Sequence, residues 1–231
     1  MKTKLTLLAS TAAAALALAV PAEAAGNWYV GFIGGANWVE DHSFSAATAP
    51  TVSADTLTWS TDADTGFVIG GAVGLNLSNM MSGLRVEIEA AYRENQIDGA
   101  WTSNTGPPGV STGTLDIDHS TFSVLANAWY DFPLGNVAPY IGGGVGWAET
   151  ELDGHYLGGT TGPFNFSDSG FAWQLGAGIN FDVSPNVKLG VGYRYFKGPD
   201  VTVGSVLVGN SATSDVDAGQ HAALVSLTFG M

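Results

Sequence analysis

The chain has no cysteine, and it carries only seven lysines and arginines against 21 aspartates and glutamates. Its one long apolar run is confined to the first 20 residues. Without cysteine there is no disulfide framework, so a fold outside the cytoplasm must hold itself together by burial or closure. A formal net charge of −14 excludes nucleic-acid binding through phosphates, which lysine and arginine must neutralise. Direct contact with anionic lipid headgroups is disfavoured for the same reason, unless divalent cations bridge. After residue 20 no stretch is long and apolar enough for a helical membrane span. The 32 glycines count against helices in general, since each weakens a helix interior by about 1 kcal/mol.

The N-terminus reads as a processing signal. Lys2 and Lys4 precede the Ala/Leu-rich run Leu5–Val20, and Pro21 leads into Ala22-Glu23-Ala24. A positive region, a short apolar region and an A-x-A site mark an exported chain. The alternative, a spanning helix, is weakened because Leu5–Val20 falls short of the ~20 residues a bilayer requires. Cleavage is expected after Ala24, with Ala25 as the competing site. Residues 1–24 are then a signal peptide and residues 25–231 one domain, a length suited to an undivided all-β fold.

Alternation organises that domain. Phe171, Trp173, Leu175, Ala177, Ile179 and Phe181 share one parity, and Gln174, Asn180 and Asp182 the other. After Ser184-Pro185-Asn186 the pattern resumes, with Val187, Leu189, Val191, Tyr193 and Tyr195 opposite Lys188 and Arg194. Successive strand residues point to opposite faces, so this is a hairpin with one apolar face and one small or charged face. Six further alternating stretches cover 28–39, 65–77, 84–95, 120–132, 137–149 and 220–231.

Short turns near 78–83, 133–136 and 183–186, rich in Asn, Gly, Ser and Pro, alternate with long polar links near 40–64, 96–119, 150–168 and 197–219. Short periplasmic turns and long extracellular loops are the pattern of an up-and-down outer-membrane barrel. The spacing predicts an all-β fold, an eight-stranded antiparallel up-and-down transmembrane β-barrel. A soluble lipocalin-like barrel is the architectural alternative. Trp28 and Trp38 share a face, and the strand between them crosses about 25 Å of membrane at ~40° of tilt. With Trp147, Tyr193 and Tyr195 they are the expected membrane-interface aromatics.

Two stretches carry a family resemblance: Pro133-Leu134-Gly135-Asn136-Val137-Ala138-Pro139-Tyr140-Ile141-Gly142-Gly143-Gly144-Val145-Gly146 and Ser184-Pro185-Asn186-Val187-Lys188-Leu189-Gly190-Val191-Gly192-Tyr193-Arg194-Tyr195. They resemble the small OmpA-like and opacity-type outer-membrane barrels, and the likeness extends over the whole predicted domain. It implies residence in outer-membrane lipid and insertion by the barrel-assembly machinery. Family members typically end in an aromatic residue read by that machinery. Here Phe229 is followed by Gly230 and Met231, so the expected assembly signal is Phe229 with Met231. The resemblance implies no activity, and the peptidoglycan anchoring of longer OmpA-like proteins is not expected.

Charge placement refines the functional expectation. Arg85, Arg93, Lys188 and Arg194 fall on the inward parity together with Glu87, Glu89, Asp131 and Asp182. A lumen of eight strands is just wide enough for side chains to fill. A structural network of ion pairs is therefore expected, with Arg194 and Arg93 near the Glu87/Glu89 level or above it, and Lys188 nearer Asp182 and Asp131. Most remaining acid lies in the long links: Glu40, Asp41, Asp55, Asp62, Asp64, Asp98, Asp116, Asp118, Glu151, Asp153, Asp200, Asp215 and Asp217. Asp62-Ala63-Asp64 and Asp116-Ile117-Asp118 lack the spacing of a calcium loop and read as solvated charge. No cofactor or metal is expected.

The function expected is structural and surface-interacting, through acidic extracellular loops that meet an extracellular ligand or host surface. One alternative is a narrow porin-like channel for small solutes or ions. Another is a lipid A-modifying enzyme, for which His119, Ser120, His221 and Asp118 form the one arguable set. His119 and Ser120 are sequence neighbours and so point to opposite faces of a strand, which places them poorly for a nucleophile and its base.

Overall fold

A computed structural model describes residues 27–39, 45–47, 56–103, 111–157, 162–204, 213–216 and 219–230. The leader and Met231 lie outside the described residues, as do Glu40, Asp41, Asp55 and Asp217. Every regular element described is a strand. In chain order these are β1 (Trp28–Val39), β2 (Ser45–Ala47), β3 (Thr56–Ala63), β4 (Gly66–Asn76), β5 (Leu84–Ser103), β6 (Ser111–Asp131), β7 (Val137–Leu157), β8 (Gly162–Ser184), β9 (Val187–Lys197), β10 (Val201–Gly204), β11 (Thr213–Val216) and β12 (Gly219–Gly230). Eight of them, β1, β4, β5, β6, β7, β8, β9 and β12, pair antiparallel in a closed cycle. Closure leaves no unpaired sheet edge in the membrane, which is the condition for strands to span hydrocarbon.

The short turns force the tight geometry at one end. Gly83 (φ +86°) and Gly135 (φ +75°) take left-handed backbone conformations that side chains disfavour. Leu134 and Val137 bridge across the second turn. A glycine floor inside the barrel serves a different purpose. A Cβ on Gly178 or Gly192 would fall 2.6 Å or less from the Tyr140 ring or its hydroxyl, so that ring lies flat only because those positions are bare.

The faces are inverted relative to a soluble protein. Glu89 and Gln174 are each 1% exposed inside, whereas Phe171 is 67%, Ile69 59% and Leu175 57% exposed outside. Water would penalise that outer surface and hydrocarbon does not. The alternation along β1, β4, β9 and β12 runs the same way.

All four long links contain strand where loops were expected: β2 and β3 lie in 40–64, β10 and β11 in 197–219, and the other two extend barrel strands. β5 continues to Ser103, β6 begins at Ser111, β7 continues to Leu157 and β8 begins at Gly162. Residues 96–103, 111–119, 150–157 and 162–168 are thus strand. Above the membrane the alternation inverts, with Ile97, Ile117 and Leu152 inward and Asp98, Asp118 and Asp153 outward, so the lipid-face pattern ends while the hydrogen-bond ladder persists. The ladder runs to Ser103↔Ser111 between β5 and β6, and to Tyr156↔Gly162 between β7 and β8. β3 carries the β4 ribbon upward along β5, and β2 pairs with β3.

The barrel is therefore tall on one side. Its wall rises along β3, β5, β6, β7 and β8, while β1, β9 and β12 stop near Val39, Lys197 and Gly219. Above Trp173 the β8–β9 register ends while the β8–β7 ladder continues, and β10 packs against this stretch of β8. Along this stretch Pro163 has no N–H to offer, and the Ser169 N–H donates to the Asp168 carboxylate (2.9 Å).

Candidate functional site

The lumen is filled in layers, beginning at the short-turn end. There Lys188 and Asp182 face each other across β8 and β9 at 3.3 Å, both about 40% exposed. A vestibule of about 200 Å³ opens beside them, lined by Asn27, Asn76, Arg85, Asp131, Asn180 and Lys188, among others. Next comes Arg85, which pairs with Asp131 (2.9 Å) and approaches Glu87 (3.5 Å). Glu87 accepts hydrogen bonds from Tyr29 Oη (2.7 Å), Trp129 Nε1 (2.8 Å) and Asn127 Nδ2 (3.1 Å). The Arg85 guanidinium lies 5.4–5.9 Å from the ring centres of Tyr29, Trp129 and Tyr140, within the reach of cation–π attraction.

Glu89 is the hub of the third layer. It pairs with Arg194 (2.5 Å) and accepts from Gln174 Nε2 (3.3 Å) and Asn127 Nδ2 (3.4 Å), while Gln174 also donates to Asn127 Oδ1 (2.8 Å). Arg194 covers the Trp129 ring at 4.9 Å. Arg93 sits above, donating to Ser123 Oγ (2.9 Å) and lying 4.0 Å from the Phe196 centroid. A neutral amide layer closes the stack. Asn37 donates to Asn95 and to Gln220 Oε1 (3.1 Å), and Gln220 donates to Thr121 Oγ1 (3.0 Å).

Two expected pairings differ in the structure. Asp131 binds Arg85 on neighbouring β5, because the register sets Arg85 opposite Trp129 and brings its side chain to Asp131 two residues further along β6. Lys188 keeps its cross-strand partner Asp182 alone. Arg93 sits above the Glu87/Glu89 level, one of the expected positions, but forms no ion pair among the described residues; Phe196 and Ser123 take its two sides. Tyr29, Asn37, Asn95, Asn127, Trp129, Gln174 and Gln220 were absent from the expected network. Their inward parity was the available signal.

The aromatic positions fall at both rims. Trp28 stands at the short-turn end, and Tyr130 meets Phe132 there at 4.9 Å. Phe229, half-exposed, meets Phe32 edge-on at 6.4 Å. At the other rim Trp147 is outward and 43% exposed, and Trp38, Tyr193 and Tyr195 gather around His221. His119 is buried on the inward face and Ser120 lies on the opposite one.

Above that rim the strand extensions turn the expected loop acid into a patterned wall. Glu94 and Asp98 on β5, Asp116 and Asp118 on β6, and Glu149, Glu151 and Asp153 on β7 share the outward parity. Asp98 stands directly opposite Asp116, and Asp118 opposite Asp153. Like charges in facing positions destabilise a sheet, by roughly 0.2–1 kcal/mol per pair. Gln96 donates to Asp116 (3.2 Å) and Asn165 donates to Asp153, which offsets part of that cost. Among the described residues no group of three or more metal-binding side chains converges.

A closed antiparallel cylinder, apolar outside and charged within, defines an integral β-barrel of the outer membrane. The chain belongs to the outer membrane protein beta-barrel domain family, whose model matches residues 5–229. It is 29% identical over 208 residues to an outer membrane protein of Gluconacetobacter diazotrophicus, covering 84% of this chain and 52% of that one. It is 26% identical to the outer membrane protein PagN of Salmonella typhimurium, over 46% of each chain. The chain thus spans about half the length of these curated relatives. Among solved structures, the outer membrane protein OprG of Pseudomonas aeruginosa aligns over 89% of this chain and 97% of that one, at 17% identity and a TM-score of 0.48.

Proposed function

We propose that this outer-membrane barrel is a non-conducting, non-enzymatic surface protein whose tall acidic wall engages cationic partners outside the cell. One observation carries the reading: the carboxylates of β5, β6 and β7 face outward in register, several directly opposite one another, on a rigid sheet. A fold that keeps Asp98 against Asp116 and Asp118 against Asp153 gives up stability for that field. Such a field speeds the encounter with basic ligands and repels anions. The reading includes removal of residues 1–24 on export and insertion by the barrel-assembly machinery, with Phe229 and Met231 as the terminal signal.

A lysine oligopeptide is expected to bind the barrel in nanodiscs with an affinity that falls steeply as salt rises. Replacing Asp98, Asp116, Asp118 and Asp153 together by Asn should weaken it by about tenfold or more. Equal affinity in calorimetry for the wild type and that variant would sink the proposal. Planar-bilayer recording is expected to show no steady conductance, since Trp129, Gln174, Glu89 and Arg194 fill the cross-section. A sustained open level would favour the narrow channel.

A further inference from the structure

Among the described residues one buried charge of the lumen has no opposite beside it. Arg93 is 2% exposed. Its Nη1 donates to Ser123 Oγ (2.9 Å) and its guanidinium lies 4.0 Å from the Phe196 centroid, but its Nε–H has no acceptor. Arg194 stands two residues below Phe196 on β9, on the same inward face, and is near enough to Arg93 to repel it. The Arg194 Nε–H has no acceptor either.

Charge separates along the barrel axis. Near the short turns Arg85 faces both Glu87 and Asp131, which leaves one negative charge there. Higher up, Arg93 and Arg194 share Glu89, which leaves one positive charge. The lower excess is too far away to serve the upper one. Asp131 sits beside Gly83, ten residues below Arg93 and so about 33 Å away along the strand. Glu89 acts on Arg93 through space but is engaged by Arg194, Gln174 and Asn127. Above Arg93 the inward face offers Asn95, His119, Thr121, Thr150 and Gln220, none of them anionic. Asp168 on β8 is exposed, and its carboxylate accepts from the Ser169 N–H.

A buried cation calls for a counter-charge, and a buried donor without a partner calls for an acceptor. Water answers only the second demand. It can also serve Gln174 Oε1, which has no donor of its own, but it brings no charge. We propose that a monovalent anion of halide size lies in the upper lumen between Arg93 and Arg194 and accepts from both Nε–H groups. The excess of one positive charge sets its valence at one. A phosphate would bring more oxygens than two donors can serve, and more charge than the layer needs. The acidic outer wall repels anions, so the ion is enclosed as the barrel folds and exchanges slowly afterwards.

Folding and crystallising the barrel in bromide tests the assignment by anomalous diffraction. One buried peak is expected between the two guanidiniums, and Arg93→Met should abolish it. Unfolding in lipid vesicles gives a second readout, at constant ionic strength with isethionate as the balancing anion. The folded-to-unfolded ratio should rise about tenfold for each tenfold rise in bromide once the site is saturated, because one ion is released on unfolding. Arg93→Met needs no counter-ion, so its ratio should not follow bromide. Should Arg93→Met not fold, the map and the bromide series of the wild type decide. Either an empty map or a bromide-independent wild type overturns the proposal and assigns the two donors to water alone. Equal bromide dependence in the wild type and Arg93→Met also overturns it, since the effect then belongs to the surface.

Discussion

Glu89→Leu is expected to destabilise the folded barrel by about 3–5 kcal/mol, the cost of removing one partner from a buried, hydrogen-bonded ion pair. Three groups depend on this carboxylate: the Arg194 guanidinium and the amides of Gln174 and Asn127. Leucine satisfies none of them, and the membrane outside offers no route by which Arg194 could turn to water. Arg93, one layer up and without an ion-pair partner, adds a second uncompensated charge nearby. Replacing Arg194 by Met in the same chain removes the larger orphan, so the double variant should recover more than half of the loss. Urea unfolding in lipid vesicles, followed by tryptophan fluorescence, measures both. A Glu89→Leu loss below about 1 kcal/mol, the scale of solvent-exposed pairs, would mean that the third layer is wet and the lumen is not a dry plug.

Leu175→Arg is expected to cost about 1–3 kcal/mol in the same assay, because it places a cation in the apolar belt between the outer rim and the midplane, where the penalty lies between the interface and midplane values. Leu175 is 57% exposed on the outer face, directly opposite Tyr195 on β9 and two residues from Trp173 on β8. Ser169→Arg, on the same strand and parity but above the belt, should cost about 0–1 kcal/mol. Equal costs at the two positions would show that the apolar face is not in lipid. The adjacent Gln174 is no neutral control. An arginine there would meet Arg194 and the packed Asn127, so it should also destabilise, through overpacking and like charge rather than through depth.

Much of this architecture was legible because a membrane imposes period two on every spanning strand. Phe171 to Phe181 and Val187 to Tyr195 declared their lipid parity residue by residue, and the same parity put Arg85, Glu87, Glu89, Arg93 and Arg194 inside. The upper strands were illegible for the complementary reason. Above the belt the apolar parity reverses, with Ile117 and Leu152 inward and Asp118 and Glu151 outward, and the short polar runs of Thr, Ser and Asp beside them look the same in a loop as in a solvated ladder. The pairing inside the lumen was illegible for another reason. Arg194 and Glu89 meet across 105 residues of sequence, and their common height depends on strand tilt and stagger, which no local pattern encodes. Arg85 and Lys188 were exchangeable as partners for Asp131 until the register of β5 against β6 placed one of them within reach.

The stretch of β8 above Trp173, where its register with β9 has ended, bears on how barrels crowd at a cell surface. An uncovered ladder invites a neighbour's strand to join it. Pro163 and the Asp168 carboxylate each remove one of the donors such a neighbour would use. Strand addition along this stretch is thereby disfavoured where one barrel meets another.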